Sequence, residues 1–224
     1  MKQDNALKGL GKGMYTLPEI SLILQLPQQK VRRWSKDYFN SSLFKRHAHE
    51  YSWISNDHKM VNFLTMIEFY VFYKMREHRI SASKILKAHD YLAETLNTPY
   101  PFASRQVLIN GKDVLYNPKA EIWVNADKSE QIVIYGILKE FSVKIDFSDT
   151  KIAKRFWPLG RDRAVVVDPH HKFGQPVLKG TNINTATIYA MYSSGEQIAT
   201  ISELYDISKD EIQDAIAFSK QSAA

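Results

Sequence analysis

A chain of 224 residues, 44% hydrophobic and 12% aromatic, can pack one large domain or two of ordinary size. The absence of cysteine excludes a disulfide framework, Cys-ligated zinc and a thiol nucleophile and fits a reducing cytoplasm; with no apolar signal core in MKQDNALKGL and no stretch near the roughly 18 apolar residues of a membrane span, a soluble cytoplasmic protein is expected. The net charge of +6 is uneven, with ten Lys and Arg against five Asp and Glu in residues 1–60 but six against eight in residues 161–224; a basic N-terminal face favours phosphate contact, and charge alone leaves an ordinary solvated surface equally open.

In chain order, Thr16 to Leu26 reads as a short helix. Thr16 and Glu19 make a capping box, Pro18 sits in the first turn, and Ile20, Ile23 and Leu24 form a buried stripe. Pro27 breaks that helix and starts the next, which is expected to run to Tyr38. Val31, Trp34 and Tyr38 fall at i, i+3 and i+7 and should pack inward, leaving Gln28, Gln29, Arg32, Arg33 and Lys36 outward. Two short helices joined by about three residues match the geometry that lays a recognition helix in a major groove. Arg can pair bidentately with guanine, Gln with adenine, and Lys36 suits a phosphate. Residues 40 to 58 read as a loop or wing that carries Lys45 and Arg46 to the DNA backbone. Its His47 and His49 lack carboxylate or Cys partners at ligand spacing, so no metal is expected.

An aromatic helix from Val61 to Glu77 follows, with Phe63, Ile67, Tyr70, Val71 and Met75 on its stripe, and then a second from Ser83 to Leu96 with Ile85, Leu86 and Leu92 inward. The TPYP run ending at Pro101 marks a boundary. Beyond it, Asn-Gly between apolar alternating runs in QVLINGKDVLY predicts a β-hairpin, with Ala120 to Val124 as a third strand. Ser129 to Ile145 has helical spacing but β-branched content, and a helix is favoured. Residues 150 to 182 are expected to be extended, with positive-φ turns at Gly174 and Gly180 and Pro176 stiffening the approach to the last helices. Those helices are Asn184 to Tyr192, stopped by Gly195; Glu196 to Tyr205; and one capped by Ser208 and Glu211 that reaches Phe218. Their outer faces, with Glu203, Asp206, Asp210, Glu211 and Asp214, would repel a duplex, so this bundle is expected to bind protein.

The stretch YTLPEISLILQLPQQKVRRWS resembles the opening of MerR-type helix-turn-helix regulators, and Tyr51 to Leu96 resembles their wing and following helices. It departs at Gln25, where that pattern has Gly, and the long dimerising coil is missing. The run from Val165 to Ile216 resembles the small helix-turn-helix family known as domain of unknown function 433, through Asp168, Pro169, Gly174, Pro176, Gly180, Thr181, Gly195 and Tyr205; the family's Arg is Asn182 here. The combination resembles the longer VapB-like antitoxins, and that resemblance implies a PIN-like ribonuclease toxin as partner.

The expected fold is α+β, mostly α. It has an N-terminal MerR-like winged helix-turn-helix for DNA (residues 1–96), a central β-hairpin segment (98–160) and a C-terminal three-helix helix-turn-helix bundle for dimerisation or toxin contact (161–224). The expected function is the antitoxin of a type II toxin-antitoxin system: a homodimer that represses its own operon on double-stranded DNA and neutralises the nuclease by direct binding. No cofactor, metal or membrane partner is expected, and no enzymatic activity, because Asp168, His170 and His171 lack a partner constellation. The alternative is a stand-alone regulator controlled by a small ligand in the aromatic region between Phe63 and Tyr73.

Overall fold

The computed structural model describes residues 11–37, 51–55, 57–105 and 142–220. Among them, β1 (Tyr15–Thr16), α1 (Leu17–Leu24), α2 (Gln28–Trp34), β2 (Trp53–Ser55), β3 (His58–Val61), α3 (Phe63–Glu77) and α4 (Ala82–Leu96) form the first part. The second part holds β4 (Ile145–Phe147), β5 (Ala153–Phe156), β6 (Val165–Val166), β7 (Val177–Leu178), α5 (Thr185–Ser193), α6 (Ile198–Tyr205) and α7 (Lys209–Lys220). The fold is thus mixed α and β, with small sheets and mostly helix. None of these helices is long and apolar enough to cross a membrane.

α1 starts where its capping box places it. The Glu19 amide donates to Thr16 Oγ1 at 3.3 Å, and the Thr16 amide donates to the Glu19 carboxylate at 2.7 Å. It stops at Leu24 rather than Leu26 because Gln25 turns left-handed, with φ 56°, and the Leu26 amide folds back onto the Ser21 carbonyl at 2.9 Å. A glycine would take that backbone angle without strain, and Gln25 takes it at a cost of about 1 kcal/mol.

The same turn closes a second time near the other end of the chain. Between α6 and α7, Asp206 is left-handed at φ 52°, and the Ile207 amide bonds the Ser202 carbonyl at 3.2 Å. In each turn a serine hydroxyl donates to the carbonyl of the middle residue, Ser21 to Leu26 and Ser202 to Ile207. In each, that middle residue is a buried aliphatic. Ile20 and Val31 of the first unit match Ile201 and Ile212 of the second, and all four are fully buried. Two copies of one helix, three-residue turn and helix unit therefore bracket the described chain.

The first unit leans on a three-stranded antiparallel sheet in the order β1-β3-β2, with Tyr15 opposite Val61 and Trp53 opposite Met60. Its platform is α3, apolar nearly all round and therefore enclosed rather than lying on the surface. Eleven of its fifteen residues are buried, and the expected stripe is among them. One buried residue is an acid. Glu68 is fully enclosed, meets His89 of α4 at 3.1 Å and accepts the Ala103 amide at 3.0 Å, while Tyr51 and Phe102 stack edge-on against the imidazole. Burial pushes the Glu68 carboxyl above its ordinary value, partly offset by His89 and the backbone amides. A carboxyl with a raised folded-state value stabilises most while protonated, and that contribution fades as pH rises through the raised value. The unfolding free energy should therefore fall, as pH rises above the ordinary carboxyl range, more steeply in the native chain than in Glu68→Gln, which keeps an acceptor for Ala103. Urea melts over that rise check it; parallel curves would mean that Glu68 does not set the slope.

In the second part, β4 pairs antiparallel with β5 and β6 with β7, and a Phe156–Val167 bridge ties β5 to the stretch after β6. Ile145, expected to end a helix, instead lies in β4 opposite Phe156, fully buried on both sides of the pair. Its β-branched side chain packs across the ladder, which outweighs its helical spacing. The rest of that expected helix up to residue 141, the Asn-Gly hairpin, the strand at Ala120 to Val124 and Tyr38 lie outside the described residues. The C-terminal helices fall close to expectation: Asn184 caps α5, Gly195 at φ 103° follows it, and Ser208 and Glu211 form the capping box of α7. Asp214 differs from its expected outward place. It is buried, accepting from Arg163 Nε at 2.6 Å and from the Ala164 amide at 2.7 Å, because α7 packs beside β6. One contiguous hydrophobic core runs from Tyr15 and Ile20 through α3 and Phe156 to Ile212 and Phe218.

Candidate nucleic-acid interface

α2 is a seven-residue helix, about 10 Å long, that buries two side chains and exposes the rest. Val31 has no exposed surface, and Trp34 sits in an aromatic box on α3, its ring centre 5.1 Å from Tyr73, 5.7 Å from Phe72 and 6.5 Å from Phe69. Two buried anchors three residues apart fix the helix's rotation about its own axis. The opposite face then carries Gln28, Gln29, Arg32, Arg33 and Lys36, all exposed as their spacing predicts. No acidic residue stands in the first turn of α2, and Arg32 and Arg33 occupy its last. Lys30 takes a different part, with its ammonium 5.4 Å from the Tyr73 ring centre, bracing α2 against α3. Lys45 and Arg46 lie outside the described residues.

Of the residues 40 to 58 expected as a wing, the described ones include β2, which pairs antiparallel with β3 at and beyond the end of that stretch, with Ile54 55% exposed and His58 exposed. What this arrangement can do chemically is limited and clear. It offers a short helix of hydrogen-bond donors with bidentate geometry, fixed by two buried anchors, whose partner helix α1 packs against β3.

The second turn unit offers no such face. Gln213 stands where Arg32 stands in the first unit, and Asp214, at the place of Arg33, is spent on Arg163 and Ala164. Glu203, Asp206 and Asp210 are exposed, with Leu204 64% exposed among them. Asp168 and the two following histidines serve a turn. Asp168 accepts from Arg155 Nε at 2.7 Å and from the His170 amide at 2.9 Å, and His171 Nε2 meets the Thr181 carbonyl at 3.1 Å. Burial alone would raise the Asp168 carboxyl, but the Arg155 hydrogen bond and the His170 amide hold it below its usual value.

A contact that sequence reasoning missed joins the two parts. Tyr15, 2% exposed, drives its ring between Gly13 and Gly174, and the Met14 amide donates to the Phe173 carbonyl at 3.1 Å. Burial, reinforced by the nearby Asp168 and Glu19 charges, pushes the Tyr15 hydroxyl well above its ordinary value, so it keeps its proton. The only signal for this contact was a glycine two residues before an aromatic. Its partner lay more than a hundred and fifty residues away in the chain.

Residues 165–219 match the family described as Protein of unknown function (DUF433). Over 221 residues the chain is 23% identical to a Mycobacterium tuberculosis (strain ATCC 25618 / H37Rv) protein called "Putative antitoxin VapB45", covering 91% of this chain and 92% of that one. The crystal structure of Rv2018 from Mycobacterium tuberculosis shares the fold, with a TM-score of 0.71 at 22% identity, across 90% of this chain and 96% of that one.

Proposed function

We propose that the chain is the antitoxin of a type II toxin-antitoxin system, a repressor that reads its own operator with a MerR-like winged helix-turn-helix in residues 1–96. The observation that carries the DNA reading is the α2 face: Gln28, Gln29, Arg32, Arg33 and Lys36 exposed on a helix whose rotation Val31 and Trp34 fix. In a groove, Gln28 and Gln29 at the N-terminal end and Arg32 one turn on face base edges. Arg33 and Lys36 face phosphates, with Lys45 and Arg46 of the wing as further backbone contacts. A helix this short covers few bases, so the chain acts as a homodimer on two half-sites about 34 Å apart.

Similarity to VapB45 along nearly the whole chain supports the antitoxin reading. The acidic outer face of α6 and α7 leaves residues 161–224 for protein contact, with a PIN-like ribonuclease as the toxin and residues 98–160 as the connecting segment. The test is a titration of the full chain against duplex from upstream of its own gene and against a scrambled duplex, at several salt concentrations. Tighter binding to the native duplex is expected, with log K falling against log salt by about 0.9 per phosphate neutralised. Equal weak binding to both duplexes counts against the operator reading. Co-expression with a PIN-like ribonuclease encoded beside its gene, where one is found, tests the toxin arm separately.

A further inference from the structure

A cavity of about 230 Å³, its surface almost wholly polar, lies where the two parts of the chain meet. One wall is the turn of Leu24, Gln25 and Leu26 that ends α1. A second is the face of α3 that Tyr70, Tyr73, Lys74 and Glu77 share at i, i+3, i+4 and i+7. The third holds Lys144, just before β4, and Pro158, after β5. The Trp157 amide donates to the Lys144 carbonyl at 2.9 Å, and Phe156 meets Tyr70 with ring centres 6.1 Å apart, so the backbone that carries Lys144 is held against α3.

Two ammonium groups from distant segments therefore face one small space. Lys74 Nζ pairs with Glu77 at 2.8 Å and lies 5.6 Å from the Tyr70 ring centre. Lys144 Nζ donates to the Pro158 carbonyl at 2.9 Å and has no carboxylate partner among the described residues. Burial, and then the charge of Lys74, push the Lys144 ammonium below its ordinary value. Burial alone would raise the Glu77 carboxyl, but Lys74, the Tyr73 hydroxyl and Lys30 hold it below its usual value. Three ammoniums, those of Lys30, Lys74 and Lys144, thus stand around a single carboxylate that Lys74 and Tyr73 already share. At the turn of α1, the carbonyls of Ser21, Leu22 and Leu26 are bonded within the turn itself.

We propose that this cavity holds one phosphate-type oxyanion between Lys74 and Lys144, supplied either by the backbone of a bound duplex or as free phosphate. Each ammonium has three donors and gives one to the protein, which leaves four N–H groups for a ligand. A carboxylate has two oxygens to receive them, whereas a phosphate has more and carries the charge that offsets the repulsion between the lysines. Because the cavity abuts the turn between α1 and α2, the bound oxyanion ties β4 to the proposed reading unit. Its assignment to the duplex rests on the DNA reading; the site itself does not.

The test titrates the 15N-labelled full chain with inorganic phosphate, and with chloride at matched pH and ionic strength, and follows the amides by NMR. Saturable shifts with phosphate are expected at residues 24 to 26, 74 to 77 and 144. Affinity should weaken about tenfold in Lys144→Gln and, independently, in Lys74→Gln, with the circular dichroism unchanged. Lys154→Gln, at an exposed position of β5 outside the cavity, should leave it as it is. The salt slope of operator binding separates the two sources. A slope reduced by about 1 in Lys144→Gln, with preference for the native duplex kept, assigns the oxyanion to the DNA backbone. An unchanged slope beside phosphate binding assigns it to a free ligand. Shifts that chloride reproduces, or that both lysine variants leave intact, overturn the site when the operator slope is also unchanged. If the operator titration shows no DNA binding at all, the phosphate titration alone decides, so the two failures stay distinct.

Discussion

Alanine at Arg32 or at Arg33 should weaken operator binding while leaving the melting curve in place, because both side chains are exposed and the anchors of α2 are Val31 and Trp34. A bidentate base contact accounts for about 1 to 3 kcal/mol of discrimination, and each 1.4 kcal/mol is about tenfold in affinity. The two arginines are expected to lose affinity in different ways. Arg32→Ala should lose preference for the native duplex over the scrambled one, with the salt slope little changed. Arg33→Ala should weaken both duplexes alike and reduce the salt slope by about 1, the signature of a lost phosphate contact. The double variant should combine both losses, keeping only the discrimination that Gln28 and Gln29 supply. Fluorescence anisotropy with both duplexes at several salt concentrations reads all of this, and unchanged affinity in both single variants would remove α2 from the DNA interface.

Gly174→Ala should be the most destabilising single methyl in the described chain. The residue sits at φ 84°, where a side chain costs about 1 to 2 kcal/mol, and its added Cβ would lie 1.9 Å from the Tyr15 hydroxyl oxygen. Tyr15 cannot yield easily, since Gly13 holds the other side of its ring and the Met14 amide is bonded to Phe173. Adding the roughly 1 to 3 kcal/mol of an overpacked core gives a loss of about 2 to 5 kcal/mol, or roughly 4 to 20 °C in melting temperature at this chain length. A double-mutant cycle separates the two causes. In a Tyr15→Ala background the same glycine substitution should retain only its backbone cost, about 1 to 2 kcal/mol. An equal loss in both backgrounds would mean that the seam does not depend on this contact. The neighbouring Lys172 and Phe173 are also left-handed, at φ 48° and 57°, so the connection from β6 to β7 already carries strain where it meets the first part.

Local features were legible wherever the physics is local. The capping boxes at Thr16 and Ser208, the start of α2 after Pro27, the stop at Gly195 and the outward face of α2 all follow from neighbours within four residues, and the structure places each of them as read, whereas the end of α1 comes at Gln25, two residues before Pro27. The buried stripe of α3 was also legible, although its helical period could not show that the opposite side is enclosed as well. Ile145 was misread because helical spacing and β-branched content pull in opposite directions, and only its pairing with Phe156 decides between them.

What the sequence determines alone, then, is which short segments form helices and turns, and which side chains each turns away from its own buried stripe, because capping, proline geometry and periodicity act over one or two turns. Tertiary structure alone decides what those faces meet. It buries Asp214 against Arg163 while leaving Arg33 exposed at the matching place, and it encloses Glu68 beside His89. It also sets Tyr15 between two glycines at the seam of the two parts, and brings Lys144 to the cavity that Lys74 lines. The reason is physical: a carboxylate or a glycine has no preferred environment until distant segments supply one, and burial, partner charge and steric room are properties of the assembled chain.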